Sequence, residues 1–241
     1  MPSFDFRTVP HIHVGAGSAA RLAVLAAPLI GDRRRVFLVT DPGVRAAGLT
    51  DGAVAALEAA GLSVSIFDQV VADPPEAVVL AAADAARTFG AEIVIGFGGG
   101  SSMDCSKLVA VLCGSSQSLT AMYGVDNAKG PRLPLILIPT TAGTGSEVTP
   151  ISVVTVGETT KMGVNSPALY GDLAVLDASK SSTAPLSAPA PMAAIPKRAR
   201  ICCSAPCWPD RPSPMRRSVR CMRWPTRSVA CFTCRTACPT H

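Results

Sequence analysis

Ile93-Val94-Ile95-Gly96-Phe97-Gly98-Gly99-Gly100-Ser101-Ser102-Met103-Asp104-Cys105-Ser106-Lys107 is the stretch that decides the fold of this 241-residue chain. A short apolar run that empties into three glycines and two serines reads as a buried strand, a tight turn and the start of a helix. Such a turn gathers backbone N–H groups around one point, and glycine lets a ligand come close enough to use them. The chemistry that fits is a diphosphate cradle.

Outward from this stretch, strands alternate with helices. Residues 18–30, 50–60, 75–89 and 101–112 have helical period, the third with Pro75 at its first turn. Residues 36–41, 63–67, 93–97, 133–139, 152–156 and 173–176 are short runs rich in Val, Ile and Leu. Continuous apolar strands separated by helices predict an α/β fold, a Rossmann-like parallel sheet with helices on both faces. Its ligands would sit at the carboxyl ends of the strands. No internal repeat interrupts the order.

A second glycine motif competes for the phosphate. Gly15-Ala16-Gly17-Ser18-Ala19-Ala20 has the form G-x-G-x-x-A, and Asp41 follows roughly 20 residues later at the end of the next strand, where a ribose-binding acid belongs. The residues before it, Thr8-Val9-Pro10-His11-Ile12-His13-Val14, carry a proline and two histidines and read as an edge strand or hairpin. Gly15 and Gly17 then either cradle a phosphate or only shape a turn into a helix. His11 and His13 share one strand face, but with no acid or Cys nearby they read as exposed positions more readily than as metal ligands.

A third cluster is Pro139-Thr140-Thr141-Ala142-Gly143-Thr144-Gly145-Ser146-Glu147-Val148-Thr149. Hydroxyls and glycines directly behind a strand offer side-chain and backbone donors to a polar ligand. Lys161 is a candidate cation near the diphosphate, or a solvated surface lysine.

Charge divides the chain in two. The full sequence has 22 Lys+Arg and 17 Asp+Glu, for a net +5, yet all but one of the acids precede residue 179 and the last 63 residues keep only Asp210. That last part holds seven of the nine cysteines, both tryptophans, ten of the 21 prolines and none of the 20 glycines. The positive net charge is therefore no argument for nucleic-acid binding by the first part. Residues 1–178 read as a dinucleotide-binding domain large enough to be stable without staples, with Cys105 and Cys113 as reduced core residues. No apolar stretch approaches the roughly 20 residues of a membrane span, and the N-terminus has no signal-peptide pattern, so a cytoplasmic protein is expected.

The motifs Gly98-Gly99-Gly100-Ser101 with Asp104 and Lys107, Pro139 to Glu147, Lys161, and Ser166-Pro167-Ala168-Leu169-Tyr170-Gly171-Asp172-Leu173-Ala174-Val175-Leu176-Asp177 together resemble the iron-containing (group III) alcohol dehydrogenases. The resemblance runs from about Phe4 to Ala178. It implies that Gly98, Gly99, Gly100 and Ser101 bind the diphosphate of NAD, that Thr140, Thr141 and Thr144 line the nucleotide, that Lys161 lies near the ribose and that Asp104 lies toward the nicotinamide. Asp41 matches the acid that receives the adenosine ribose hydroxyls, and its charge favours NAD over NADP. The implied activity is interconversion of a small-molecule alcohol with an aldehyde or ketone.

The same resemblance implies a second, all-helical domain in which an Asp and three His hold Fe2+ or Zn2+. Residues 179–241 do not carry it. The whole chain has three histidines, His11, His13 and His241, so no residue matches a family metal ligand. Arg, Pro, Cys and Trp without Gly, and with few Val, Ile or Leu, is the composition of a GC-rich gene read out of frame. The expectation is a frameshift near codons 178–185 and a disordered, basic tail. Cys231, Cys234 and Cys238 with Cys221, Cys203 or Cys207 are the alternative, a metal-binding and nucleic-acid-binding module, but their spacing is irregular and no hydrophobic periodicity supports it. On the frameshift reading the chain is an inactive NAD-binding fragment, prone to homodimerisation or aggregation through an uncovered face, with no membrane or nucleic-acid partner.

Overall fold

In the inner strands of the parallel sheet, apolar residues follow one another because both faces are covered, while the edge strands alternate polar and apolar residues. The computed structural model describes residues 7–179. The strands are β1 (His11–Val14), β2 (Arg35–Val39), β3 (Ser63–Phe67), β4 (Ile93–Gly98), β5 (Gly124–Val125), β6 (Leu135–Pro139), β7 (Ile151–Val156), β8 (Thr160–Asn165) and β9 (Leu173–Leu176). The helices are α1 (Leu22–Leu25), α2 (Ala27–Ile30), α3 (Pro42–Ala46), α4 (Asp51–Ala59), α5 (Glu76–Phe89), α6 (Gly100–Gly114) and α7 (Leu119–Met122).

Six strands form one sheet in the order β1-β9-β6-β4-β2-β3, and every neighbouring pair is parallel. Phe37 and Val39 point into one core with Val94, Leu135, Leu137 and the buried faces of α5 and α6. Val36 and Leu38 point into the other, with Ile93, Ile95, Ile136, Ile138, Leu22 and Leu57. The Rossmann-like α/β architecture predicted from the apolar runs is the observed one.

The chain passes from β2 outward to β3 and then returns to place β4 on the opposite side of β2. That reversal opens a crevice above the carboxyl ends of β2 and β4, where ligands bind in open sheets of this kind. Asp41 follows β2 and Gly98 ends β4, so the two stand on either side of it.

Close packing explains two further glycines. A Cβ at Gly96 would lie 2.2 Å from Ser106 Oγ and 3.0 Å from Leu137 Cδ2, so this residue lets α6 sit down on the sheet. A Cβ at Gly114 would meet the Arg132 backbone at 2.5 Å.

Two local expectations are corrected. Residues 18–30 do not form one helix: a 3-10 turn (Ala19–Arg21), α1 and α2 succeed one another, with Pro28 in the first turn of α2. Residues 152–156 are a strand, but not of the parallel sheet. β7 pairs antiparallel with β8, and β5 adds to β8, as a separate three-stranded sheet. Its inward positions, Ser152 and Val154, are buried while Ile151 and Val153 are exposed, the alternation of a sheet with one covered face. Among the described residues no helix is long and apolar enough to cross a membrane. The cysteine-rich tail falls at residues 180–241, outside the described residues, as do His241 and the first six residues.

Candidate functional site

The helix that follows the glycines is long and starts without a cap. Gly99 is the N-cap residue of α6, with φ −77° and ψ −174°, and no side chain accepts from the first turn. Among the described residues no hydrogen bond ends on the N–H groups of Gly100, Ser101 or Ser102, while Met103 N–H closes onto the Gly99 carbonyl at 3.1 Å. Three free donors at the positive end of a 15-residue helix attract an anion. Gly98 reaches this turn with φ +153°, a conformation that favours glycine.

The space above these donors is formed. One groove of about 340 Å³ is lined by Asp41, Gly43, Val44, Leu49, Gly99, Thr140 and Thr141. A second, of about 480 Å³, runs along Asp41 to Gly43, Val70 to Ala72 and Gly99 to Ser102. They share Asp41, Gly43 and Gly99. A Cβ built on Gly99 would have Thr141 Oγ1 at 3.5 Å as its nearest neighbour, so Gly99 faces the gap between helix and threonine loop.

Asp41 is held at both oxygens. Its Oδ1 accepts from Val44 N–H at 2.9 Å as the N-cap of α3, and its Oδ2 accepts from Ser102 Oγ at 3.2 Å. The threonine loop is tied to the turn by Thr140 N–H donating to the Gly98 carbonyl at 2.9 Å. Thr140 is buried and Thr141 exposed. Thr144 lies over Gly100, its Cγ2 3.5 Å from where a Gly100 Cβ would be, and Gly143 and Gly145 take φ +103° and +64° to shape this loop.

Lys161 stands at an exposed position of β8 and pairs with Asp73. Asp73 N–H donates to Ser101 Oγ at 3.3 Å, so the lysine is linked through one residue to the glycine turn. Asp73 has φ +52°, a left-handed conformation that few non-glycine residues adopt, and its carbonyl is held by Thr155 Oγ1 at 3.0 Å.

Asp104 points the other way. Its Oδ1 accepts from Ser146 Oγ at 2.6 Å and its Oδ2 from Val153 N–H at 3.0 Å. Lys107, fully buried one turn on, donates to Ser146 Oγ at 2.8 Å and to the Ile151 carbonyl at 2.7 Å. Asp104 and Lys107 thus staple α6 to the end of the threonine loop and to β7. Burial pushes the Lys107 ammonium down to about 8, against the opposing pull of Asp104 and Glu147.

The second glycine motif is already occupied. Asp177, at the end of β9, accepts Gly17 N–H on Oδ1 at 2.8 Å and Ala19 N–H on Oδ2 at 2.9 Å. Burial alone would raise its carboxyl, but the Ser179 hydroxyl and the N–H groups of Ala19, Ser179 and Gly17 outweigh burial and hold it below the ordinary value. The turn at Gly15 to Ala20 binds an anion, and that anion is the protein's own. Sequence reasoning had no signal for this partner 160 residues away. It also passed over Ser102, and it quoted Lys107 without giving it a role.

A further pocket of about 350 Å³ opens beyond Thr141, between Val14, Pro139, Gly143, Glu147, Leu176 and Asp177. Glu147 Oε2 is buried without a partner among the described residues. No group of three His, Cys, Asp or Glu there is arranged to hold a metal ion. His11 and His13 lie on edge strand β1, His11 exposed and His13 half-buried. The described residues therefore fit a dinucleotide and do not fit the family metal.

Comparison with known proteins shows the family and the fold. The family described as iron-containing alcohol dehydrogenase matches residues 10–178. The sulfoacetaldehyde reductase of Bilophila wadsworthia is 37% identical over 177 residues, which is 73% of this chain and 45% of that protein. Long-chain-alcohol dehydrogenase 1 of Geobacillus thermodenitrificans is 39% identical over 171 residues, 70% of this chain and 42% of that one. Among solved structures, the sulfoacetaldehyde reductase of Bifidobacterium kashiwanohense in complex with NAD+ superposes with a TM-score of 0.65 at 30% identity, covering 73% of this chain and 46% of that one. The chain spans less than half the length of these relatives.

Proposed function

The chain belongs to the iron-containing alcohol dehydrogenase family, and from that membership we propose that residues 1–178 are the NAD-binding half of an enzyme that interconverts a small-molecule alcohol with its aldehyde or ketone. The observation that carries the reading is the set of free N–H groups at Gly100, Ser101 and Ser102, placed at the switch point of the sheet between Asp41 and the Thr140–Thr141 loop.

Each residue has a part in this reading. The N–H groups of α6 and the backbone at Gly98 to Ser101 receive the diphosphate. Asp41 accepts the adenosine ribose hydroxyls and repels a 2′-phosphate. Thr140 and Thr141 wall the groove, Thr144 lies over Gly100, and Lys161 adds positive charge beside Asp73. Asp104 acts indirectly, tying α6 to Ser146 at the end of the threonine loop and to Val153 of β7. NAD bound here supplies a hydride acceptor. The solved structure of a relative with NAD+ supports the choice of nucleotide.

No step is assigned to a metal, because the described residues offer no metal cluster and the whole sequence has only three histidines. The 241-residue chain is on this reading a nucleotide binder without alcohol turnover. Titration with NAD, followed by assay of a primary alcohol with NAD and added Fe2+ or Zn2+, tests both halves of the proposal. Binding without turnover is expected. Turnover dependent on either metal would show that residues 180–241 carry a metal site, and absence of NAD binding would remove the nucleotide reading.

A further inference from the structure

Ser102 lies in the first turn of α6, with 1% of its surface exposed, and its hydroxyl reaches across to Asp41 Oδ2 at 3.2 Å. The contact joins residues 61 positions apart, from the two strand ends that form the crevice. It exists because residue 98 has no side chain. A Cβ on Gly98 would lie 2.7 Å from Ser102 Oγ and 3.1 Å from Asp41 Oδ2, in the space between the two groups.

An ionised carboxylate has about four acceptor sites. At Asp41 one is filled by Val44 N–H, from its own helix, and one by Ser102 Oγ, from α6. The first bond alone leaves the carboxylate free to rock about the Oδ1 contact, and the second fixes its plane. The remaining sites belong to a residue that lines both grooves beside Gly99.

We infer that Ser102 is a positioning residue for nucleotide choice, holding Asp41 so that its open acceptor sites and its charge face the 2′ position of a bound adenosine ribose. The inference rests on the reading of Asp41 given above and extends it to the residue whose hydroxyl is bonded to Asp41. A hydroxyl that only packed the helix would act on both nucleotides equally. One that orients Asp41 acts on the difference between them, because the 2′-hydroxyl is attracted and the 2′-phosphate repelled by the same oriented charge.

The test is a double-mutant cycle on the full 241-residue chain with Ser102→Ala, Asp41→Gly and the pair, titrated with NAD and NADP and followed by thermal unfolding. A bond to a charged group corresponds to roughly tenfold in binding, and the long contact here sets the expectation at about threefold to tenfold. Ser102→Ala should reduce the preference for NAD by that factor, mostly through weaker NAD binding, and should leave the preference unchanged in the Asp41→Gly background. Equal loss for both nucleotides, or the same change of preference without Asp41, overturns the inference. If Asp41→Gly narrows the preference and Ser102→Ala does not, only the role of Ser102 falls. If Asp41→Gly leaves the preference intact, or the chain binds neither nucleotide, the reading of Asp41 falls with it.

Discussion

Replacing Gly99 by valine asks whether the glycine turn is a binding site or a packing device. The backbone there, at φ −77° and ψ −174°, is extended and accepts any L-residue, and the nearest atom to a new Cβ is Thr141 Oγ1 at 3.5 Å, an ordinary contact. Gly99→Val should therefore fold, losing about 1 kcal/mol because valine is a poorer N-cap residue than glycine. Its two methyl groups would stand in the gap where the diphosphate meets the helix. Hydrogen bonds to a charged group contribute roughly 1.5–3 kcal/mol each, so loss of two gives about 3–6 kcal/mol, or at least a hundredfold in affinity. Calorimetric titration with NAD, alongside a melting curve, reads both numbers. Gly96→Ala supplies the contrast, since its Cβ would overlap Ser106 and should destabilise by about 1–3 kcal/mol. Gly17→Ala, at φ +73° with open space around the Cβ, should cost stability and leave affinity within a few-fold. A folded Gly99→Val chain that binds NAD as tightly as the unchanged protein, or a Gly17→Ala chain that loses it, would refute the assignment.

Asp41→Gly should bring the affinities for NAD and NADP closer together, measured by parallel titrations, and equal affinities in the unmutated chain would contradict the role given to its charge. Asp177→Asn removes one acceptor from the pair that holds Gly17 and Ala19, and should lower stability by about 1–3 kcal/mol in urea unfolding at neutral pH. Because the folded carboxyl lies below its unfolded value of 3.8, that contribution is complete well above this value and is lost as pH falls through the lower folded one, so the gap between the two chains should close in acid. Lys107 gives a slope of the same sign at alkaline pH: its folded value near 8 lies below the unfolded 10.5, so between them the unfolded chain binds more protons and stability rises with pH. Lys107→Met should abolish that rise, of order 3 kcal/mol, and an unchanged slope between pH 8 and 10 would count against it.

What could be read from the sequence follows from the range of the interactions involved. Val36 to Val39 and Ile93 to Phe97 state their own burial, because a strand covered on both faces needs an apolar residue at every position. Gly98 to Ser101 likewise carry their turn in their composition. The hairpin of β7 and β8 was missed as a separate sheet because Thr160 to Asn165 contains Lys, Gly and Asn, and only the turn at Gly157, with φ +64°, marks it locally. The partner of Gly17 was not legible at all, since nothing near residue 17 announces Asp177. Ser102 reads as an ordinary helix residue until the sheet brings β2 beside β4 and places Asp41 within reach. Asp104 illustrates the limit of motif spacing: the sequence positions it near the cofactor turn, and the hydrogen bonds show its carboxylate committed to Ser146 and Val153.

The most direct test of the central claim is an amide-resolved nuclear magnetic resonance titration of the 241-residue chain with NAD. The free N–H groups of Gly100, Ser101 and Ser102 should move most, together with Asp41 and Thr141, while Gly17 and Ala19, already bound to Asp177, should stay near their starting positions. Shifts concentrated at Gly15 to Ala19, or none at all at saturating NAD, would contradict the account.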